Sequence, residues 1–196
     1  MDFKDMNVQT EIQKSLEFAL KSRSIVITGE IDKDTSKLFQ EKILFLEASD
    51  STKPIFVYID SEGGDIDAGF AIFNMIRFVR PKVFTIGVGL VASAGALIFL
   101  AADSKSRFSL PHARYLLHQP LSGFKGVATD IEIYTNELNK IKSELNDIIA
   151  KETGQELNKV EKDTDRDFWL DSESAVKYGL VFQIITTRLE LEKFIF

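Results

Sequence analysis

One stretch of the sequence, from Val83 to Ala102, runs for twenty residues without a charged side chain, VFTIGVGLVASAGALIFLAA. About 20 apolar residues can span a bilayer, so a membrane helix is one interpretation. The other divides the stretch: VFTIGV is rich in β-branched and aromatic residues, Gly87 and Gly89 interrupt it, and VASAGALIFLAA is typical of a buried helix ending near Asp103. Because the flanks lack the Lys/Arg clusters of membrane spans, we expect a buried strand and a buried helix, with no membrane contact.

Strand and helix patterns alternate along the rest of the chain. IFVYI, residues 55–59, is a continuous apolar strand of the kind found in a covered sheet. The other predicted elements are strands at 24–29, near 106–110 and at 114–118, and helices at 34–48 and 65–80. This alternation predicts an α/β fold with right-handed crossovers. We expect one domain over residues 24–196, preceded by a polar N-terminal arm, residues 1–23, which has no secretory signal and is typical of a cytoplasmic protein.

A long amphipathic helix is predicted at about 129–153. Thr129 and Glu132 form a capping-box pattern, and Gly154 stands at the expected C-terminal cap. Its apolar stripe consists of Ile131, Tyr134, Leu138, Ile141, Leu145 and Ile148. The stripe can lie on the core of its own domain, or it can bind another chain. Since about 24 residues extend roughly 36 Å, more than a small core needs, we expect oligomerisation.

The composition narrows the possible chemistry. The chain has no cysteine, which excludes disulfides, thiolate catalysis and cysteine-ligated metals. Its two histidines, His112 and His118, lack the i, i+4 spacing of a helical zinc site, so no metal site is expected. The net charge of −6 argues against nucleic-acid binding. Catalysis must therefore use Ser, Asp, Glu, Lys or an imidazole.

Ser93 is the candidate nucleophile, and His118 is the candidate base. Small neighbours surround Ser93 at a predicted helix start, where a carbonyl can approach free N–H groups. Serine is also common where helices pack closely, and His118, at a strand end, can be purely structural. The G-x-S-x-G motif of α/β-hydrolases is absent, because Val91 stands in place of its first glycine.

Such a site also needs oxyanion donors and a carboxylate, and the residues offer more than one choice for each. Gly63 and Gly64 follow a strand and can supply oxyanion donors, although Gly-Gly there is also an ordinary turn. A histidine base needs a carboxylate to orient it. The segment DTDRDFW offers Asp163, Asp165 and Asp167, and spacing alone does not choose among them.

Five blocks together resemble a known family. They are YIDSEGGDIDAGFAIFNMI, GVGLVASAGALIFLAA, RFSLPHARYLLHQPLSG, ATDIEIYTNEL and DTDRDFWLDSESAVKYGLV. In this order they are similar to ClpP, the proteolytic subunit of the ATP-dependent Clp protease, from about residue 24 to 187. The resemblance implies a crotonase/ClpP-like α/β spiral of ββα units with a protruding handle helix.

The family's functional residues carry over position by position. The resemblance implies a catalytic triad of Ser93, His118 and Asp167, with the backbone N–H groups of Gly64 and Ala94 as the oxyanion hole. It implies two cleft strands that hold the substrate backbone: Asp65, Ile66 and Asp67, and Leu121, Ser122 and Gly123. The matching unfoldase-docking positions are Phe56, Tyr58, Phe78, Ile86, Phe108 and Leu110. The matching ring contacts are Arg166 and, on the handle, Ile131, Tyr134, Leu138 and Ile141.

The resemblance also implies the working assembly. Two stacked seven-membered rings, homomeric or mixed, would enclose the active sites and degrade unfolded polypeptides delivered by a Clp-type AAA+ unfoldase. The subunit itself would need no cofactor, because the unfoldase uses the ATP. Three departures indicate a specialised second paralogue: Glu62 replaces the usual proline, Ala94 replaces the usual methionine, and the N-terminal arm lacks the usual proline-containing apolar segment.

Two other functions compete with proteolysis. An enzyme of the enoyl-CoA hydratase type would share the fold and the paired N–H groups but would not need the Ser–His pair. A proteolytically silent or partner-dependent ring subunit would have a structural role, although its usual signature is a lost triad residue and all three are present.

Overall fold

The computed structural model describes residues 14, 17–121, 123 and 125–195. Most of the predicted N-terminal arm, residues 1–23, lies outside this part of the chain, although residues 17–21 are helical. The first strand begins at Ser24, where the sequence predicts the folded domain to begin.

Strands and helices alternate from Ser24 onward. The strands are β1 Ser24–Ile31, β2 Ile55–Gly64, β3 Val83–Ala92, β4 Arg107–Ser109, β5 Arg114–Leu117, β6 Phe168–Asp171 and β7 Gln183–Ile184. The helices are α1 Lys33–Ser49, α2 Ile66–Phe78, α3 Ala94–Phe99, α4 Ala128–Thr153, α5 Leu157–Thr164, α6 Ser172–Tyr178 and α7 Arg188–Glu192.

The strands form one predominantly parallel sheet, which confirms the predicted α/β class. Strands β1, β2, β3, β4 and β7 are neighbours in that order, and each pair is parallel. Strand β5 pairs with the carboxyl-terminal part of β3, and β6 pairs antiparallel with β5. The main core lies between one face of the sheet and the helices, with Ile55, Val57 and Ile59 of β2 buried in it.

The uncharged stretch divides into strand β3 and helix α3, as predicted. The boundary is Ser93 rather than the two glycines, because β3 continues through both of them to Ala92. Gly87 instead leaves room for a neighbour: a Cβ there would lie 2.3 Å from the Tyr115 hydroxyl. Within the described residues, no helix is both long and apolar enough to cross a membrane.

Within the described part of the chain, the buried side chains of the long helix α4 lie near its C-terminal end. Asn146 and Ile149 near its C-terminus are buried, whereas Ile131 and Ile133 near its start are 44% and 59% exposed. The predicted C-terminal cap is confirmed, since Gly154 has φ 73° and its N–H donates to the Ala150 carbonyl. Half of the helix lies on its own core, and the other half projects beyond it.

The predicted capping box at the start of α4 is wrong. The N-cap residue is Val127, which makes no side-chain capping hydrogen bond, and Thr129 already lies within the helix. The helix begins earlier than the pattern of Thr129 and Glu132 suggests, because nothing in the fold stops it at Thr129.

This arrangement predicts where α4 stabilises the subunit. Ile149→Ala should lower the free energy of unfolding by about 2–4 kcal/mol, because it leaves a cavity in the core. Ile133→Ala should change it by less than about 0.5 kcal/mol. Urea denaturation at a concentration where the chain is monomeric measures both, and equal losses would contradict a helix anchored only at its base.

Candidate active site

Ser93 occupies a strained turn between β3 and α3. Its φ of 55° and ψ of −120° are unusual for a residue with a side chain, and such strain is concentrated at functional sites. The Ser93 N–H donates to the Leu116 carbonyl at 3.0 Å, and the Ser93 carbonyl accepts from the N–H groups of Ala96 and Leu97. This is the strand–turn–helix geometry of a nucleophile elbow, formed without the G-x-S-x-G motif.

The absence of a side chain at Gly63 makes this turn possible. A Cβ on Gly63 would lie 2.6 Å from the Cβ of Ser93 and 2.9 Å from the Ala92 carbonyl oxygen. Gly63 also has φ +98°, which side chains disfavour. The end of β2 therefore packs directly against the Ser93 turn.

Strand register brings His118 to Asp167. In the antiparallel β5–β6 pair, Leu117 lies opposite Phe168, so the next pair beyond the strand ends is His118 and Asp167. The His118 Nδ1 and the Asp167 Oδ1 are 3.2 Å apart. The His118 side chain is 15% exposed and that of Asp167 is 62% exposed. A carboxylate at Nδ1 orients the ring and leaves Nε2 for proton transfer.

The other two aspartates of the segment have different contacts. Asp163 accepts a hydrogen bond from the Tyr178 hydroxyl at 2.9 Å. Burial, and secondarily the contact with Asp163, raise the pKa of Tyr178 above its usual range. Asp165 lies 3.5 Å from the Lys142 ammonium. Only Asp167 of the three contacts His118, because it alone is in register.

A polar network, unforeseen in the sequence, holds the two strand ends together. Gln119 donates from its backbone N–H to the Thr164 carbonyl at 2.7 Å and from its side chain to the Asp165 carbonyl at 2.6 Å. The Thr164 hydroxyl contacts the buried Asn146 Oδ1 of α4 at 2.8 Å. In the sequence, only Gln119 could have been linked to the site, because it directly follows His118. No sequence pattern marks Asn146 or Thr164.

Ser93 and His118 line one cavity of about 400 Å³. Its other walls are Gly64 to Asp67, Leu97, Leu100, Leu117, Pro120 and Leu121 and, from α4, Tyr134, Glu137, Leu138, Ile141, Leu145 and Ile149. In the described part of the chain, no hydrogen bond joins the Ser93 hydroxyl to His118. Such bonds are often long before substrate binds.

Of the two amides predicted as oxyanion donors, that of Ala94 directly follows Ser93 in the chain, and that of Gly64 belongs to a residue that lines the same cavity. The Ala94 nitrogen is 3.1 Å from the position of a Cβ on Gly63. The amides on either side of Gly64 are engaged: that of Gly63 donates to the Ser61 hydroxyl, and that of Asp65 donates to the Ile31 carbonyl. Gly64 itself lines the cavity.

The first predicted cleft strand, residues 65–67, is not a strand in this structure. Asp65 is the N-cap of α2, where its carboxylate accepts from the Ala68 N–H at 2.8 Å, and residues 66–67 are the first helical turn. Of the second predicted cleft strand, Leu121 lines the cavity and Gly123 is exposed. Ser122 lies outside the described residues. A helix cap at Asp65 ends β2 before it can supply a peptide-binding edge there.

The predicted docking positions separate into two groups. Phe56, Ile86 and Phe108 are buried on the second face of the sheet, with Tyr58 and Leu110 at the edge of the same cluster. Phe78, at the end of α2, is 76% exposed and belongs to no such cluster.

The predicted ring contacts also fall into two groups, one exposed and one that lines the cavity. Ile131 and Arg166 are exposed. Tyr134, Leu138 and Ile141 line the cavity of their own subunit. Across the described residues, no group of three or more His, Asp or Glu side chains is placed to hold a metal ion.

Several known proteins are similar to this chain in sequence or in fold. The Clp protease family model matches residues 7–188. The ATP-dependent Clp protease proteolytic subunit 2 of Borreliella burgdorferi is 79% identical over 182 residues, which are 93% of this chain and 92% of that protein. The subunit of the same name from Treponema pallidum is 53% identical over 174 residues, 89% of this chain and 87% of that protein. A solved structure of a ClpP1 mutant from Listeria monocytogenes has a TM-score of 0.84 and 40% identity and covers 89% of this chain and 98% of its own, which confirms the predicted spiral fold.

The polar network predicts a matched pair of threonine variants. Thr164→Val removes the hydroxyl that satisfies buried Asn146, and it should lower the free energy of unfolding by about 1–3 kcal/mol. The Thr164 hydroxyl also contacts the carbonyl of Val160, four residues earlier, and the exposed Thr135 hydroxyl makes the same kind of bond to Ile131. Thr135→Val should therefore cost less than about 0.5 kcal/mol. Thermal unfolding compares the two, and a tolerated Thr164→Val would contradict the network's supporting role.

Proposed function

The chain belongs to the Clp protease family, and we propose that it is a serine endopeptidase subunit that cuts unfolded polypeptides with Ser93, His118 and Asp167. One observation carries the proposal: the carboxylate of Asp167 lies 3.2 Å from His118, which faces the same cavity as the strained Ser93. The peptidase class follows from the family itself.

The chemistry follows the general triad logic. Ser93 Oγ attacks the peptide carbonyl while His118 Nε2 accepts its proton, and Asp167 stabilises the imidazolium that forms. His118 then protonates the leaving amine, and a water molecule releases the acyl group in the reverse sequence. The amides of Gly64 and Ala94 stabilise the oxyanion, a contribution that elsewhere is worth about 10²–10³ in rate.

The apolar cavity suits an extended polypeptide rather than a folded one. Asp65, Ile66, Asp67 and Leu121 line it beside the catalytic residues, so the substrate backbone passes between the start of α2 and the segment 121–123. The subunit needs no cofactor for this hydrolysis. A Clp-type AAA+ unfoldase in the cytoplasm uses ATP to unfold and deliver the substrate, docking at the apolar positions that include Phe56 and Tyr58.

The projecting half of α4 supports the ring assembly. Ile131 and Ile133 are exposed on a helix that overhangs its own core, as expected of a contact between subunits. We assign it to the junction of two stacked heptameric rings, with Arg166 as a further contact. The relatives' designation as subunit 2 supports mixed rings.

A partner-dependent subunit is the second candidate. It is favoured by helix α4, which forms a wall of the Ser93 cavity and carries exposed Ile131 on its projecting half. In this case the triad would align only when the paralogous subunit joins the assembly, so the chain alone would not react with a serine-directed probe.

The two histidines provide a matched test of the triad. His118→Ala should lower kcat/KM for a peptide substrate by about 10³-fold or more, whereas His112→Ala, an exposed turn residue, should leave it unchanged. Asp167→Asn should cost about 10⁴-fold.

Fluorophosphonate labelling separates the candidates. Labelling of the native chain that is lost in Ser93→Ala supports the active subunit. Labelling that appears only after the paralogue is added supports the partner-dependent subunit. Labelling that survives Ser93→Ala, or equal losses in the two histidine variants, would refute the proposed triad.

The assembly is tested by one added charge. Ile131→Asp should raise the concentration at which rings form by at least about tenfold, because a charge is desolvated in the contact. Asn139→Asp adds the same charge elsewhere on the helix and should not. Sedimentation velocity measures assembly, and circular dichroism checks the fold. Unchanged assembly of Ile131→Asp would remove Ile131 from the ring contact.

A further inference from the structure

The second face of the sheet carries an apolar cluster separate from the main core. Phe56 of β2, Phe84 and Ile86 of β3 and Phe108 of β4 are buried there. The ring centroids of Phe56 and Phe84 are 5.6 Å apart, and those of Phe84 and Phe108 are 6.1 Å apart. Side chains alternate between the two faces of a strand, so this outer cluster points away from the helices that cover the main core.

The C-terminal segment, residues 186–195, covers this outer cluster. Leu191 is buried in it, and Phe194 and Ile195 pack against it. The Phe194 ring lies 5.1 Å from that of Phe108. Large apolar faces are rarely left exposed in a soluble subunit, so a segment of the chain occupies a face that would otherwise bind a partner.

Arg188 adds a polar clamp to the cover. Its guanidinium donates a hydrogen bond to the Tyr58 hydroxyl and lies 5.1 Å from the centre of the Phe56 ring. Tyr58 lies at the edge of the outer cluster. The clamp therefore attaches the segment to the side chains of the sheet.

The segment's backbone is not joined to the sheet. In the described residues, the last such bond is from the Ile185 N–H to the Ser109 carbonyl at 2.9 Å. Beyond it the backbone bonds are internal: Thr186 N–H donates to the Glu190 carboxylate at 2.6 Å, and Phe194 N–H donates to the Leu191 carbonyl. Helix α7 has only five residues, too few to be stable alone, so the cover can detach without breaking a strand pair.

We propose that residues 186–195 are a resident competitor that apolar peptide segments must displace to bind the outer cluster. The partner is a protein segment that presents two or three large apolar side chains, as the C-terminal segment does with Leu191, Phe194 and Ile195. Since Phe56, Tyr58, Ile86, Phe108 and Leu110 are also the predicted docking positions, unfoldase docking requires displacement of the segment. That last step rests on the proposed function.

Peptide binding to the full-length chain tests the competition directly. The probe is a fluorescent peptide, TTRLELEKFIF, which copies residues 186–196. The double variant Leu191→Ser/Phe194→Ser loosens the cover and should bind the probe at least tenfold more tightly than the native chain in fluorescence anisotropy. Leu189→Ser, at a position 71% exposed on the same helix, should bind like the native chain. A probe with serine at the positions of Leu191 and Phe194 should not bind.

Equal probe affinity in the native chain and the double variant would overturn the proposal. Where the double variant does not fold, Arg188→Ala removes the clamp alone and should tighten probe binding at least threefold. An unchanged affinity in that variant overturns the proposal too.

A second measurement separates this inference from the proposed function. With an added Clp-type unfoldase, the loosened variant should reach half-maximal ATP-dependent degradation at a lower unfoldase concentration than the native chain. An unchanged concentration would overturn competition with the unfoldase. If the unfoldase stimulates degradation by neither the native chain nor the loosened variant, although both cut small peptides, the proposed unfoldase docking is refuted. The probe measurement still decides whether the segment competes for the outer cluster.

Discussion

The close approach of Gly63 to the Ser93 turn is the contact on which the site depends. Because Gly63 has no side chain, the end of β2 can lie against the turn, and Ser93 can adopt its positive φ. The Ser93 N–H then bonds the Leu116 carbonyl of β5, which places His118 at the same edge. Strand β5 in turn pairs with β6 and brings Asp167 to His118. Each of these steps is a backbone constraint, so the sheet brings the three candidate side chains to one edge, where the Asp167 carboxylate contacts the His118 ring.

Much of this arrangement was predictable from local patterns. The uncharged stretch, the glycine pair and the small residues around Ser93 each correspond to a short-range requirement of a buried strand, a tight turn or a close packing. The long helix and its Gly154 cap have equally local signals. By contrast, β6 and the short C-terminal elements carry little periodicity: FWLD has only four residues, and its partner is the equally short RYLL. Their pairing depends on the completed fold, which no window of sequence contains.

The choice of Asp167 over Asp163 and Asp165 shows the same limit. Residue spacing could not decide among three aspartates two positions apart, and the family resemblance supplied the choice. In the structure the reason is register, because one position only lies opposite His118. The predicted cleft strand failed for a related reason. Aspartate is a favoured N-cap residue, and the Asp65 carboxylate caps the start of α2. The extended chain of β2 therefore ends there.

Helix α4 links the proposed subunit contact to the candidate active site. Tyr134, Leu138 and Ile141 form a wall of the cavity, yet they lie on the half of α4 that extends toward the exposed Ile131. The buried anchors, Asn146 and Ile149, are at the other end, and Asn146 contacts Thr164 in the segment that leads to Asp167. A contact that shifts the projecting half would therefore move the cavity wall, while the base of the same helix contacts the segment that leads to the proposed carboxylate, Asp167. The proposed subunit contact and the wall of the candidate site consequently lie on one helix, which is a physical reason to expect activity to depend on assembly.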